Sequence, residues 1–144
     1  MAAGKTILKA LFPIFILFLS ANTGVAQQET VETAERLMLW QLEALKNENY
    51  QQFIQHGNKA FKEFMDKFSF ESIIMQRKAK IAKGYRLEYL GDIRSIGMRK
   101  HLWKIHIEGD KYQLLGSLSL SHGKVVGFNL FKRALQAHSI ERPP

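Results

Sequence analysis

The stretch that decides the fold is Trp103-Lys-Ile-His-Ile-Glu-Gly-Asp-Lys-Tyr-Gln-Leu-Leu-Gly-Ser-Leu-Ser-Leu-Ser-His-Gly-Lys-Val-Val-Gly-Phe-Asn-Leu-Phe131. Apolar and polar residues alternate on either side of two glycine-bearing breaks, as in half-buried strands joined by tight turns. Glu108-Gly-Asp-Lys111 reads as a two-residue hairpin with Gly first, and Ser121-His-Gly-Lys124 as a second with Gly in the second central position. Counting back from the first turn pairs Ile107 with Tyr112, Ile105 with Leu114 and Trp103 with Gly116. Counting from the second pairs Leu120 with Val125, Leu118 with Gly127, Gly116 with Asn129 and Leu114 with Phe131. Both counts place Tyr112, Leu114, Gly116, Leu118 and Leu120 on one face, and a one-residue slip would invert every side chain. The opposite face mixes Lys104, His106, Gln113, Ser117 and Ser119 with Leu102, Leu115, Val126, Phe128 and Leu130.

Working outward, Gly84 to Met98 supplies the remaining strand or strands, with Tyr85, Leu87 and Tyr89 alternating and Gly91 and Gly97 permitting bends. Before Gly84 the period changes from two to three and four. Thr30 is placed to cap a first helix, whose apolar stripe is Val31, Ala34, Met38, Leu42 and Leu45. Asn47-Glu-Asn49 interrupts it. A short helix with Tyr50, Phe53 and Ile54 runs to Gly57, and Asn58 caps the next, with Phe61, Phe64, Met65 and Phe68 as its expected buried face. Ser69 is the expected cap of a final helix carrying Phe70, Ile73, Ile74 and Ile81 inward, closed by Gly84. Helices first and a sheet after them define an α+β chain: N-terminal helices packed on a curved, four-stranded antiparallel sheet, a cone-shaped roll whose mouth is a pocket.

The N-terminus has a separate meaning. Lys5 and Lys9 precede an apolar run from Ala10 to Leu19, and Ser20 to Ala26 is small and polar. That is the layout of a secretory signal covering residues 1–26. The apolar run falls short of the about 20 residues a transmembrane helix needs, and Pro13 interrupts it. The expected product is an exported protein, periplasmic or secreted, and not membrane-spanning after cleavage. Residues 27–144 then form one domain, with a core at about 29–132 and a tail at 133–144. Without cysteine there is neither a disulfide nor a thiol for lipid attachment, so packing alone holds the fold. Losing Lys5 and Lys9 lowers the formal net charge from +8 to +6. That surplus favours weak association with anionic envelope surfaces, and export argues against nucleic acid as a partner.

Three segments resemble a known family. Ala44-Leu-Lys-Asn-Glu-Asn-Tyr-Gln-Gln-Phe53 is similar to the link between the long first helix and a short aromatic helix in the nuclear transport factor 2-like superfamily, the cystatin-like α+β roll. Trp103-Lys-Ile-His-Ile107 and Leu118-Ser-Leu-Ser-His-Gly-Lys-Val-Val-Gly-Phe128 resemble its closing strands. The resemblance spans roughly Glu29 to Lys132. It implies a pocket between helices and sheet, frequent dimers, and functions from isomerase to plain binding module, here in an exported bacterial branch.

Tested for chemistry, the chain offers little. Asp92 and the tyrosines are the candidates for proton transfer, but Asp92 follows Gly91 as a turn residue would. His101 and His106 point to opposite faces of one strand, and His106 with Glu108 makes only two ligands, so no metal site is expected. Ser121-x-x-Lys124 flanks a hairpin rather than opening a helix, which removes it as an acylating serine. The catalytic set is therefore empty and no cofactor is expected. Trp103, Asn129, Tyr112, Leu114, Tyr50 and Tyr89 are the ligand-pocket candidates, with Asn129 aimed into space left by Gly116. Leu102, Leu115, Phe128 and Leu130 are the candidate interface of a homodimer. The basic group Arg77, Lys78, Lys80, Lys83 and Arg86 closes a helix.

The leading expectation is a non-catalytic exported domain binding a small apolar ligand or a protein partner through its helix–sheet pocket. One alternative is an isomerase or dehydratase on the same fold, with Asp92 or His101 in reach of a tyrosine. The other is a cystatin-type inhibitor or envelope interaction module. Gly123-Lys-Val-Val-Gly127 lacks the glutamine of the inhibitor motif Gln-x-Val-x-Gly and runs into a strand.

Overall fold

A computed structural model describes residues 30–133; the expected signal, and the tail from residue 134, lie outside the described residues. The helices are α1 (Val31–Lys46), α2 (Tyr50–Ile54), α3 (Lys59–Phe64) and α4 (Lys67–Ile81). The strands β1 (Tyr85–Ser95), β2 (Met98–Ile107), β3 (Gln113–Ser121) and β4 (Lys124–Arg133) follow as one antiparallel meander in the order β1-β2-β3-β4. The expected α+β roll is present.

Side-chain oxygens start each helix by accepting an amide hydrogen that the helix itself leaves unpaired. Thr30 accepts from Thr33 N, Asn49 from Gln52 N and Asn58 from Phe61 N. The cap of α4 is Asp66, which accepts from Ser69 N, so Ser69 lies inside the helix rather than before it. Starting α4 early turns Phe64 and Phe68 outward, 79% and 77% exposed, and leaves Phe61 and Met65 to fill the core. Glu48, left-handed at φ 53°, breaks α1 from α2 where Asn47-Glu-Asn49 interrupts the pattern. At Gly84, φ 103° turns the chain from α4 into β1.

The core lies between the helices and one sheet face. Ala34, Met38, Leu42 and Leu45 of α1 meet Trp103, Ile105, Leu114, Leu118 and Val125, all at most 1% exposed. Phe53 packs against Phe61, Phe70 and Phe128, with ring centroids 5.0 to 6.1 Å apart. Each such pair contributes about 0.5–1.5 kcal/mol beyond its buried area.

The two counts from the glycine turns fare differently. Trp103 pairs with Gly116 and Ile105 with Leu114 as expected, although the loop between β2 and β3 occupies residues 108–112 rather than a two-residue turn. The His122-Gly123 turn is as expected, with φ 49° and 72° and Ser121 opposite Lys124. Beyond Leu120–Val125, however, β4 carries one extra residue: the next pair is Ser119–Gly127, with Val126 unmatched. This bulge inverts the rest of the strand. Phe128 and Leu130 face the helices, while Asn129 stands opposite Ser117, and Phe131 opposite Leu115, on the outer face. Phe128 is 5% exposed and Phe131 52%.

The far margin of β4 meets the helical layer. Asn58 N donates to Val125 O, Val125 N donates to His56 O, and an Arg77 guanidinium nitrogen lies 3.4 Å from Leu130 O.

Candidate functional site

The polar group on the inner sheet face is built by a second bulge. Tyr89 pairs with Trp103 and Gly91 with Leu102, leaving Leu90 unmatched, and Asp92 then pairs with His101. Three residues apart on a regular strand, Tyr89 and Asp92 would point to opposite faces. The extra residue, accommodated by Gly91 at φ 132°, sets both on the face of His101 and Trp103. Arg99, two residues before His101, joins them from β2.

The geometry is a chain of hydrogen bonds. Arg99 grips Asp92 with two nitrogens, Nε to Oδ2 at 2.7 Å and a terminal nitrogen to Oδ1 at 3.0 Å. The Tyr89 hydroxyl lies 3.3 Å from Asp92 Oδ1 and 3.1 Å from His101 Nδ1. An ionised carboxylate only accepts, so the Tyr89 hydroxyl donates to Asp92 and His101 Nδ1–H donates to the Tyr89 oxygen. The fully buried His101 ring stacks on Trp103 at 5.8 Å between centroids, 27° from parallel. Indole Nε1 of Trp103 is buried without a hydrogen-bond partner among the described residues.

Electrostatics follow from these contacts. The Arg99 hydrogen bonds hold the Asp92 carboxyl down at about 2, and desolvation opposes them only in part. The Tyr89 hydroxyl is pushed up, first by burial and then by the neighbouring Asp92 charge. A proton acceptor working near neutral pH needs a value near that pH, and Asp92 is far below it. The reach asked of Asp92, His101 and a tyrosine is met, yet the carboxylate is already committed to arginine.

The other expected pocket residues are dispersed. Trp103 and Leu114 are core. The Tyr50 hydroxyl donates to Met65 O at 3.0 Å, and its ring packs on Phe70, which ties α2 to the α3–α4 turn. Tyr112 lies outside the strands and is exposed, its ring 5.3 to 5.9 Å from the ammonium groups of Lys80, Lys111 and Lys132. Asn129 is exposed on the outer face, a consequence of the β4 bulge. The room expected beside Gly116 is filled: a Cβ there would lie 2.8 Å from Ile105 Cδ1 and 3.1 Å from Met38 Cε.

On the outer face the expected interface changes by the same inversion. Leu102 and Leu115 remain there, whereas Phe128 and Leu130 are replaced by Asn129 and Phe131. Around them, Glu88 pairs with His106 and Lys104, and a Gln113 amide nitrogen stands 3.1 Å from His106 Nδ1. Hydrogen bonding from His106 holds Glu88 below the usual carboxylate range. His106 is thus engaged by Glu88 rather than Glu108, and no group of three metal-ligating residues occurs among the described residues. Of the basic group, Lys78 pairs with Glu48 and Lys80 with Asp110. No described helix is long and apolar enough to cross a membrane.

No family model matches the chain, and a comparison with curated proteins gives no match. Among solved structures the chain is similar to an NTF2-like protein of unknown function from Cytophaga hutchinsonii. The likeness covers 74% of this chain and 94% of that one, at 14% identity and a TM-score of 0.37. At that identity and TM-score the likeness carries no argument.

Proposed function

We propose that the chain is an exported, non-catalytic binding domain that engages a protein partner through the outer face of its sheet, the partner being a second copy of itself. The observation that carries this reading is the asymmetry of the two sheet faces. The inner face is filled, with Met38 and Ile105 closing the space at Gly116, which disfavours an apolar ligand there. The outer face carries Leu102, Leu115 and half-exposed Phe131 around the small residues Ser117, Gly91 and Gly127. Apolar side chains gathered on a sheet face that none of the described helices covers mark an association surface. A two-fold pairing would apply the same patch twice. Light scattering of the mature chain tests it: the expected result is a dimer that Phe131→Glu converts to a monomer. A wild-type monomer at about 100 μM, well above the Kd of a standard interface, removes the reading.

A second reading, a proton-transfer enzyme, is favoured by the chain Arg99–Asp92–Tyr89–His101, because a base oriented by a second and third group is how such sites are built. It requires His101 to exchange a proton near neutral pH. Nitrogen-15 NMR of the ring between pH 5 and 8 decides it. A ring that keeps its Nδ1 proton and does not titrate over that range ends this alternative.

A further inference from the structure

Away from both sheet faces, α1, the α2 segment and Lys62 of α3 border an open surface cleft of about 640 Å³ lined by Trp40, Asn49, Gln51, Gln52, Gln55 and Lys62, with Ile54. Its composition is unusual: one aromatic plane, four carboxamides, one cation and no carboxylate. We infer that this cleft is a saccharide-binding site, with Trp40 as the stacking platform for a pyranose ring. This inference is independent of the partner reading of the sheet.

The platform is rigid before any ligand arrives. Trp40 Nε1 donates to Gln52 O at 2.9 Å, and Gln52 Nε2 donates back to Trp40 O at 3.3 Å. His56 meets the indole edge-on, with centroids 5.2 Å apart at 72°. The indole N–H is spent on the backbone, so what Trp40 offers a ligand is ring surface, the residue being 37% exposed. A pyranose presents an apolar C–H face to such a ring and a rim of hydroxyls, each both donor and acceptor. Carboxamides match that rim because each side chain also carries both functions. Asn49 Oδ1 is used by the α2 cap, which leaves its NH₂ as a donor. Gln51 and Gln55 are exposed at the cleft wall. A preordered aromatic with a few polar groups lowers the ordering cost of binding. With a single lysine and no carboxylate, the lining suits a neutral ligand, or one bearing a single negative charge, better than a polyanion.

The chain has two tryptophans, so its amide NMR spectrum carries two indole signals, one from Trp40 and one from buried Trp103. The mature protein is titrated with a β-1,4-linked N-acetylglucosamine tetramer, with cellotetraose and with an eight-residue oligothymidine. The expected result is a saturable shift of the Trp40 indole signal with at least one saccharide, the Trp103 signal staying in place. Both Gln51→Ala and Gln55→Ala, at exposed positions outside the core, should weaken that binding at least about fivefold each. The inference is overturned if neither saccharide moves the Trp40 signal up to about 10 mM, if both glutamine variants bind as the wild type does, or if the oligothymidine binds more tightly than the sugars.

Discussion

The Tyr89 hydroxyl stands 3.3 Å from a carboxylate oxygen of Asp92, three residues further along the same strand. Only the unmatched Leu90 makes that possible, since it turns Asp92 back to the face that Tyr89 occupies. The polar group of the inner face is therefore a product of backbone irregularity, and its stability is tied to Gly91.

Gly91 sits at φ 132° with open space where a Cβ would go, so a substitution there meets backbone strain and no collision. Gly91→Ala should lower stability by about 1–3 kcal/mol. Urea unfolding with unchanged slope measures this, and a neutral result would show that the bulge tolerates side chains.

Acid should expose the Asp92–Arg99 pair. The folded carboxyl is held at about 2, below its unfolded value of about 3.9. Its contribution is complete above about pH 4 and is lost as pH falls through about 2, because the unfolded chain takes up the proton first. In Asp92→Asn the decline of stability between pH 4 and 2 should be shallower than in the wild type. Asp66 and Asp110 are also held low, by amide hydrogen bonds from Ser69 and Tyr112, so part of the decline persists. Parallel curves for the two proteins would contradict the assignment.

The inverted end of β4 gives a paired test. Phe128, packed edge-on to Phe53 at 5.2 Å, should cost about 3–5 kcal/mol when replaced by alanine. Phe131→Ala, measured in dilute monomer, should stay within about 0.5 kcal/mol. Denaturant midpoints that rank the two variants the other way would restore the register without a bulge.

The start of α4 is open to the same comparison. Asp66→Ala removes the oxygen that accepts from Ser69 N at 2.7 Å and should cost about 0.5–2 kcal/mol. Ser69→Ala keeps that bond and should cost less than half as much, as thermal unfolding of the two variants would register.

How much of this was legible depends on how local each signal is. Thr30 and Asn58 are legible as caps because a cap needs only the next three residues, whereas Asn49, read only as part of a break, is shown as the cap of α2 by the structure. The register of β2 on β3 was legible because no residue intervenes between Trp103–Gly116 and Ile105–Leu114. Counting from a turn assumes that both strands advance together, and Val126 breaks that assumption, which carried Asn129, Phe128, Leu130 and Phe131 to the wrong faces. A clue was present: each unmatched residue precedes a glycine, in Leu90-Gly91 and Val126-Gly127. The cluster of Tyr89, Asp92, Arg99 and His101 was out of reach for the same reason, since period-two reading separates Tyr89 from Asp92. Helical spacing carried across the Met65-Asp66 turn puts Phe64 and Phe68 on the buried face, and the new helix start at Asp66 is what exposes them.

The bonds from Asn58 N to Val125 O, from Val125 N to His56 O and from Arg77 to Leu130 O bear on solubility as well as on shape. A strand at the rim of a sheet is a template on which further chains can grow into fibrils. Here the helical segments engage one rim at Val125 and Leu130, and the other is kinked at Leu90-Gly91, so both ladders are interrupted where a neighbouring molecule would extend them.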